Sequence, residues 1–273
     1  MNKTSDHFLS RDGLKIFYRH WKIDNPEKIF CIVHGLGEHS GRYDHVAEAL
    51  TKSSITTFAL DLRGHGQSEG KRGHAKNLDL LLADIEELMK VARVNYNSIP
   101  MILFGHSMGG NLVASLVAKK PTNEISAFIL SAPWIKLAFE PPKWKTSIGG
   151  FIAHLLPSFT QPNDLDTNSL SKDPIEVQKY EEDPLVHSQI SAGLFKEISE
   201  SGITLQQTEG IEIKGLCYHG LADKIIDPNA SKQFAVKNNL AWIGLENVYH
   251  EPHNDTEKDI VIKNILDWLK TVE

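Results

Sequence analysis

Cysteine is scarce: 273 residues contain two, Cys31 and Cys217, with no C-x-x-C pair and no zinc-like partner spacing. Both lie in apolar, strand-like runs ("IFCIVHG" and "GLCYHG"), so they are expected as reduced core residues, not as a disulfide or a catalytic thiol. No apolar run approaches the roughly 20 residues needed to cross a bilayer. Residues 1–13, "MNKTSDHFLSRDG", hold no apolar stretch of signal-peptide length, and a soluble, cytoplasmic protein is expected. Blocks of lysine or arginine are missing, and the formal net charge is −6. The electrostatics therefore make no case for nucleic acid or for an anionic membrane surface. Internal repeats and low-complexity segments are also absent.

What is present is an alternation of short β-rich runs with longer helical patterns. Strands are expected at "LKIFYRHWKI", "KIFCIVHG", "ITTFALD", "PMILFGH" and "ISAFILSA", and helices at "GRYDHVAEALTKS", "NLDLLLADIEELMKVARVNY" and "MGGNLVASLVAKK". In the second helix Leu78, Leu81, Leu82, Ile85, Leu88 and Met89 recur at three- and four-residue steps, which describes one buried face. Strands alternating with helices of this length predict a mostly parallel central sheet with helices on both faces. The opening strands, joined near "RDG", are expected to form an antiparallel edge hairpin.

From residue 133 the alternation stops. A Pro-rich stretch with short helical pieces and no strand signal runs to about residue 210, too long for an idle loop in a compact domain. Alternation then resumes with "IEIKGLCYHG", a helix from Pro228, "AWIGLENV" and a last helix through "DIVIKNILDWLK". The economical organisation is one core, residues 1–132 and 211–273, interrupted by an insertion at 133–210.

The chemistry begins where "PMILFGH" meets "MGGNLVASL". A strand turning sharply into a helix forces the residue at the join to positive φ and requires small residues two positions to either side. Gly105 and Gly109 meet that demand around Ser107, giving the G-x-S-x-G nucleophile elbow in its strand–turn–helix setting. The turn lifts the serine hydroxyl clear of the sheet and aims a helix N-terminus at the reacting centre.

A serine hydroxyl needs a base, and the base needs an acid to orient it. In α/β-hydrolases these follow the serine in the order acid, then histidine. "LCYHGLADKIIDP" offers Asp223, just past a strand end, and Asp227, which directly precedes Pro228 and reads better as a helix N-cap. "ENVYHEPHNDTEKD" offers His250, first after the strand, and His253 as the alternative base. Pro252 prevents the helical spacing that H-E-x-x-H metal sites use, so no metal and no cofactor are expected. Two backbone donors should face the charge that develops on the ester oxygen: the N–H of Met108, and the N–H of Leu36 in "HGLGEHSGRY".

Other polar residues have plainer readings. "DLRGHGQSEG", residues 61–70, is expected as a turn network holding loops, and His34, His65 and His106 as loop hydrogen-bonding residues. Trp144, Phe151, Leu155 and Leu156 either pack as core or line a pocket for an acyl chain.

Taken in order, "HGLGEHSGRY", "GHGQSEG", "GHSMGG", "HGLADK" and "VYHEPH" resemble the signatures of the monoglyceride lipase and lysophospholipase group of α/β-hydrolases. Within the insertion, "SKDPIEVQKYEEDPL" resembles that group's cap segment, including Tyr180 and the D-P-L at 183–185. The resemblance spans nearly the whole chain. It implies an α/β-hydrolase fold with an inserted helical cap, whose apolar tunnel takes one acyl chain above a small polar pocket for glycerol. Glu38, Arg42, His106, Tyr180 and His253 fall, by position, at or near that polar end. The resemblance also implies peripheral membrane contact through the cap, for which residues 147–159, "SIGGFIAHLLPSF", are the candidate patch.

The resulting expectation is a serine hydrolase that cleaves a monoacylglycerol to glycerol and a fatty acid through an acyl-enzyme. A lysophospholipase or broad carboxylesterase with the same triad is the alternative, and acyl transfer to a nucleophile other than water is a further use of the same residues. Dehalogenases and epoxide hydrolases of this fold normally use aspartate where Ser107 stands, and a non-catalytic lipid-binding relative would not need the full set. Oligomeric state is left open.

Overall fold

The computed structural model describes residues 2–119, 124–140 and 155–272. Ten strands occur among them: β1 (Asn2–Leu9), β2 (Lys15–Lys22), β3 (Lys28–Val33), β4 (Ile55–Leu60), β5 (Met101–His106), β6 (Ala127–Ser131), β7 (Thr160–Pro162), β8 (Gln189–Ser191), β9 (Lys214–Gly220) and β10 (Ala241–Leu245). Seven α-helices are described: α1 (Asp44–Thr51), α2 (Leu78–Asn95), α3 (Met108–Lys119), α4 (Pro174–Glu182), α5 (Ala192–Gln207), α6 (Pro228–Lys237) and α7 (Lys258–Leu269).

Eight strands form one sheet in the order β1-β2-β4-β3-β5-β6-β9-β10. The β1–β2 hairpin and the β2–β4 pair are antiparallel, and every pair beyond them is parallel. This is the mostly parallel sheet with an antiparallel edge hairpin that the alternation predicts, and it fits the α/β-hydrolase fold that the resemblance implies.

Strand periodicity divides the core in two. In β3 the side chains of Ile29, Cys31 and Val33 enter a cluster with α2 and α3, while Phe30 and Ile32 enter the opposite cluster with Val46 and Leu50 of α1 and Val261 and Ile265 of α7. A run apolar on both faces is what a central parallel strand requires. Leu81, Leu82, Ile85, Leu88 and Met89 form the buried face of α2, capped by the Asn77 side chain accepting from the Leu80 N–H at 3.0 Å. Both cysteines are buried and unpaired, and burial raises the Cys31 thiol to about 12.

Between β6 and β9 the structure departs from the sequence reading in one respect. The insertion does contain strands: β7 and β8 pair antiparallel, Gln161 opposite Ile190. Three-residue strands beside Pro162 are too short to produce a periodic signal. The last helix, α5, is long and joins the main core through Leu194, Ile198 and Leu205. Asn111 of α3 donates to the carbonyls of Trp134 at 2.8 Å and Ile198 at 3.3 Å, and accepts from Ser201 at 2.7 Å. These bonds satisfy buried polar groups on both helices, and they fasten α5 beside the elbow helix.

Candidate active site

The site is built at the carboxyl ends of the strands. Ser107 sits at the β5–α3 join with φ of 51°, a left-handed conformation that a β-carbon disfavours. Its backbone is pinned on three sides: the Ser107 N–H donates to the Ser131 carbonyl at 2.9 Å, and its own carbonyl accepts from Asn111 at 3.0 Å and Trp134 at 2.9 Å. The flanking glycines are sterically required. A β-carbon on Gly109 would lie 2.1 Å from the Val33 carbonyl oxygen, and one on Gly105 would lie 2.3 Å from that of Gly109.

Asp223 follows β9 in a turn closed by its N–H to the Gly220 carbonyl, and His250 follows β10. The His250 loop is fixed by Asp255, whose carboxylate accepts from the Tyr249 N–H at 2.8 Å, and by the insertion, where the Leu170 carbonyl accepts from Glu251 at 2.8 Å. These loops bring three side chains into line. His250 Nε2 lies 3.0 Å from Ser107 Oγ, and His250 Nδ1 lies 2.7 Å from Asp223 Oδ2. All three residues are buried, with Ser107 the most open of them alongside Asp223, each 7% exposed.

The electrostatics match the geometry. Burial is the largest single influence on His250 and disfavours its charged form, but the charge and hydrogen bond of Asp223, with Glu251 and Glu38 behind, outweigh it and raise its pKa above the ordinary histidine value. Burial likewise opposes ionisation of Asp223. The imidazoles of His250 and His219 overcome it and hold the carboxyl well below its usual range. The alternative acid, Asp227, caps α6 by accepting from Asn229 at 2.9 Å.

The loop after β3 comes close to the serine. A β-carbon on Gly35 would lie 3.2 Å from the β-carbon of Ser107 and 3.0 Å from Glu38 Oε1, so the approach is tight and a larger residue would push on both side chains. The next residue is Leu36. Among the described residues neither the Leu36 N–H nor the Met108 N–H, the latter in the first turn of α3, donates to a protein acceptor.

Glu38, Arg42 and Tyr180 form a buried network with a member the sequence reading did not single out, Glu251. Arg42 grips Glu251 with both nitrogens at 2.6 and 2.7 Å and also reaches Glu38 at 3.0 Å. Glu38 in turn accepts from the Gly35 N–H at 2.6 Å and the Tyr43 hydroxyl at 2.9 Å, and the Arg42 guanidinium lies 4.7 Å from the Tyr180 ring centre. The signal for Glu251 was its place in "HEPH", directly after the base. Its partner lies 209 residues away, which no local pattern reveals.

His106 and His253 stand behind His250. The His106 ring is 4.9 Å from that of His250 and 4.7 Å from that of His253, which stacks on Tyr43. Burial drives both to the neutral form, His253 to about 3. His34 and His65 bond to loop backbone, His34 Nε2 accepting from the Leu62 N–H at 2.9 Å. Residues 61–70 form a turn network around Asp61, which accepts from the Ser40 and Gln67 N–H groups at 2.8 Å.

Part of the expected acyl pocket and membrane patch lies outside the described residues, including Trp144, Phe151 and positions 147–154. Leu155, Leu156 and Phe159 are exposed. A surface cleft of about 800 Å³ lies between α1, α4 and the start of α7; Arg42 lines it and none of Ser107, Asp223 and His250 does. Among the described residues no group of three or more His, Cys, Asp or Glu has the geometry to hold a metal ion, and no helix is long and apolar enough to cross a membrane.

Fold and site together define an α/β-hydrolase of the lipase and esterase class, a carboxylic ester hydrolase. The Hydrolase_4 family, described as serine aminopeptidase, S33, matches residues 24–257, and the chain belongs to that family. The chain is 31% identical over 272 residues to a monoacylglycerol lipase of Mycolicibacterium smegmatis, covering 97% of this chain and 96% of that protein. It is 35% identical over 280 residues to an abhydrolase domain-containing protein of Dictyostelium discoideum, covering 99% of this chain but only 29% of that much longer protein. Among solved structures, a monoacylglycerol lipase of Paleococcus ferrophilus superposes with a TM-score of 0.81 at 28% identity, covering 98% of each chain. The chain is therefore similar to the monoglyceride lipases within its family.

Proposed function

We propose that this protein is a monoacylglycerol lipase, cleaving the ester to glycerol and a free fatty acid through an acyl-enzyme on Ser107. The observation that carries the reading is the unbroken line from Ser107 Oγ through His250 to Asp223, at 3.0 and 2.7 Å. His250 takes the hydroxyl proton as Ser107 attacks the carbonyl carbon, and Asp223 stabilises the imidazolium. The N–H groups of Met108 and Leu36 receive the oxyanion. His250 then protonates the departing glycerol, and a water activated by the same histidine releases the fatty acid.

The choice of an uncharged alcohol rests on Arg42. Arg42, one of the residues that the resemblance puts at the polar end, is already neutralised by Glu251 and Glu38 inside the protein. A phosphate on the leaving group would meet a cation whose charge is already paired.

In this reading residues 133–210 are the cap on a core of 1–132 and 211–273, with α5 anchoring it to α3, and the substrate is a small lipid ester. Glu38, Arg42, His106, Tyr180 and His253 shape the alcohol end from behind the triad. Exposed Leu155, Leu156 and Phe159 support peripheral contact with a lipid surface. Two unpaired cysteines fit a cytoplasmic location.

The test is fatty-acid release from monooleoylglycerol and from oleoyl lysophosphatidylcholine, side by side, with Ser107→Ala as control. Faster cleavage of the glycerol ester, lost in Ser107→Ala, is expected. Faster cleavage of the lysophospholipid would overturn the choice of alcohol, and full activity in Ser107→Ala would overturn the mechanism.

A further inference from the structure

The mechanism uses one histidine on Asp223, but the structure shows two. His219, on β9 four residues before the acid, places Nε2 2.8 Å from Asp223 Oδ2, the same oxygen that His250 Nδ1 approaches at 2.7 Å. The other oxygen, Oδ1, accepts from the backbone N–H groups of Ile225 at 2.7 Å and Ile226 at 3.1 Å. An ionised carboxylate offers about four acceptor positions, so all of them are in use.

The protonation state of His219 follows from its surroundings. The side chain is fully buried, and Nδ1 has no hydrogen-bond partner among the described residues. Asp223 is ionised and can only accept, so the proton of neutral His219 must sit on Nε2. A second proton on Nδ1 would bury an N–H without an acceptor. In agreement, burial, the largest influence, pushes the His219 pKa down despite the charge of Asp223.

A donor that never changes its proton count is thus fixed on the oxygen that controls the base. Each hydrogen bond to a carboxylate oxygen withdraws negative charge from it and weakens its pull on other protons. The two backbone donors on Oδ1 hold the carboxylate's orientation without help from His219.

We propose that His219 is a positioning residue that acts through Asp223: its Nε2–H shares Oδ2 with His250 and thereby limits the basicity of the catalytic histidine. The inference rests on the reading of Ser107, His250 and Asp223 as the triad. The other groups facing His250 are Glu251 beside it, Glu38 from the loop after β3, His106 at the end of β5, and His253; Arg42 pairs both glutamates. Asp227 also faces His219. None of these is altered by changing His219.

The experiment has two arms. In the wild-type protein, histidine nitrogen NMR should find His219 neutral with its proton on Nε2 across roughly pH 6 to 8. A proton on Nδ1, or an imidazolium through that range, overturns the proposal without any variant having to fold. In the second arm His219→Leu removes the donor and His219→Gln keeps an N–H able to reach Oδ2. The His250 titration by NMR in the free protein, and the acid limb of kcat/KM for monooleoylglycerol, should both move up by roughly half a pH unit or more in the Leu variant. That is about a threefold loss of kcat/KM on the acid side. The Gln variant should restore the wild-type limb.

A limb that stays in place or moves down in the Leu variant overturns the proposal, as does a Gln variant that behaves like Leu. The NMR titration also separates the two failures. Persisting ester cleavage in Ser107→Ala would sink the triad reading, while the His250 titration would still report whether His219 controls that ring.

Discussion

Replacing Arg42 by methionine tests whether the buried network beside the triad is held by its single cation. Methionine keeps most of the side-chain volume and the packing against Tyr180, but removes the three hydrogen bonds to Glu38 and Glu251. Both glutamates are 2% exposed, so neither can turn to water when its partner is lost. Removing one member of a buried ion pair costs about 3–5 kcal/mol, because the charge left behind is desolvated and unpaired. For a chain of this size that lowers the thermal midpoint by roughly 6–20 °C.

The sign of the pH dependence makes the test sharper. In the native protein burial opposes ionisation of Glu251, but Arg42 outweighs it and holds the carboxyl below its unfolded value. Its contribution is therefore present above about pH 4.5 and is lost as the pH falls through the folded value. Without Arg42 the two carboxyls are buried together, one must hold a proton, and its folded pKa rises above the unfolded one. Stability from that group then increases as the pH falls. Urea unfolding followed by tryptophan fluorescence should show a large deficit at pH 7 that narrows at pH 5. A loss below about 1 kcal/mol, or an equal loss at both pH values, would refute the reasoning.

Other consequences follow from single contacts. Gly109→Ala should destabilise the protein and abolish ester cleavage, since the added carbon would sit 2.1 Å from a backbone oxygen; a wild-type melting curve would contradict this. Activity should fall on the acid side with a midpoint above about pH 6.5, because the His250 pKa is raised and the base works only when neutral; a kcat/KM profile flat across that region would argue against a histidine base. Asp223→Asn should reduce kcat by about 10⁴, because the amide carries no charge to stabilise the imidazolium and its N–H favours the wrong tautomer of His250. Asp227→Ala should cost only about 1 kcal/mol of stability through loss of the α6 cap and leave turnover unchanged, and the reverse pattern in this pair would exchange the two assignments.

Much of the fold was legible because its signals are local. The buried face of α2, the doubly apolar runs of β3 to β6, and the glycines around Ser107 each reflect sterics or burial acting over a few residues. The order of serine, acid and histidine could be read because each candidate follows a strand end. The insertion was less legible: β7 and β8 are three residues each, and their pairing joins positions about 30 apart. Least visible were the buried polar contacts. Arg42 with Glu251, and Asn111 with Ser201, are made across 209 and 90 residues, and they depend on which loops the sheet order brings together. His219 hid differently. The run "LCYHGLADKIIDP" points to its two aspartates, and nothing local distinguishes His219 from any other residue of β9.

The most direct measurement is to stop turnover of monooleoylglycerol with acid in the steady state and locate the oleoyl group by peptide mass spectrometry. An oleoyl ester on Ser107, absent from Ser107→Ala together with fatty-acid release, is the predicted result. Fatty-acid release at the wild-type rate by Ser107→Ala, or an oleoyl group on any other residue, would contradict an acyl-enzyme at the β5–α3 turn.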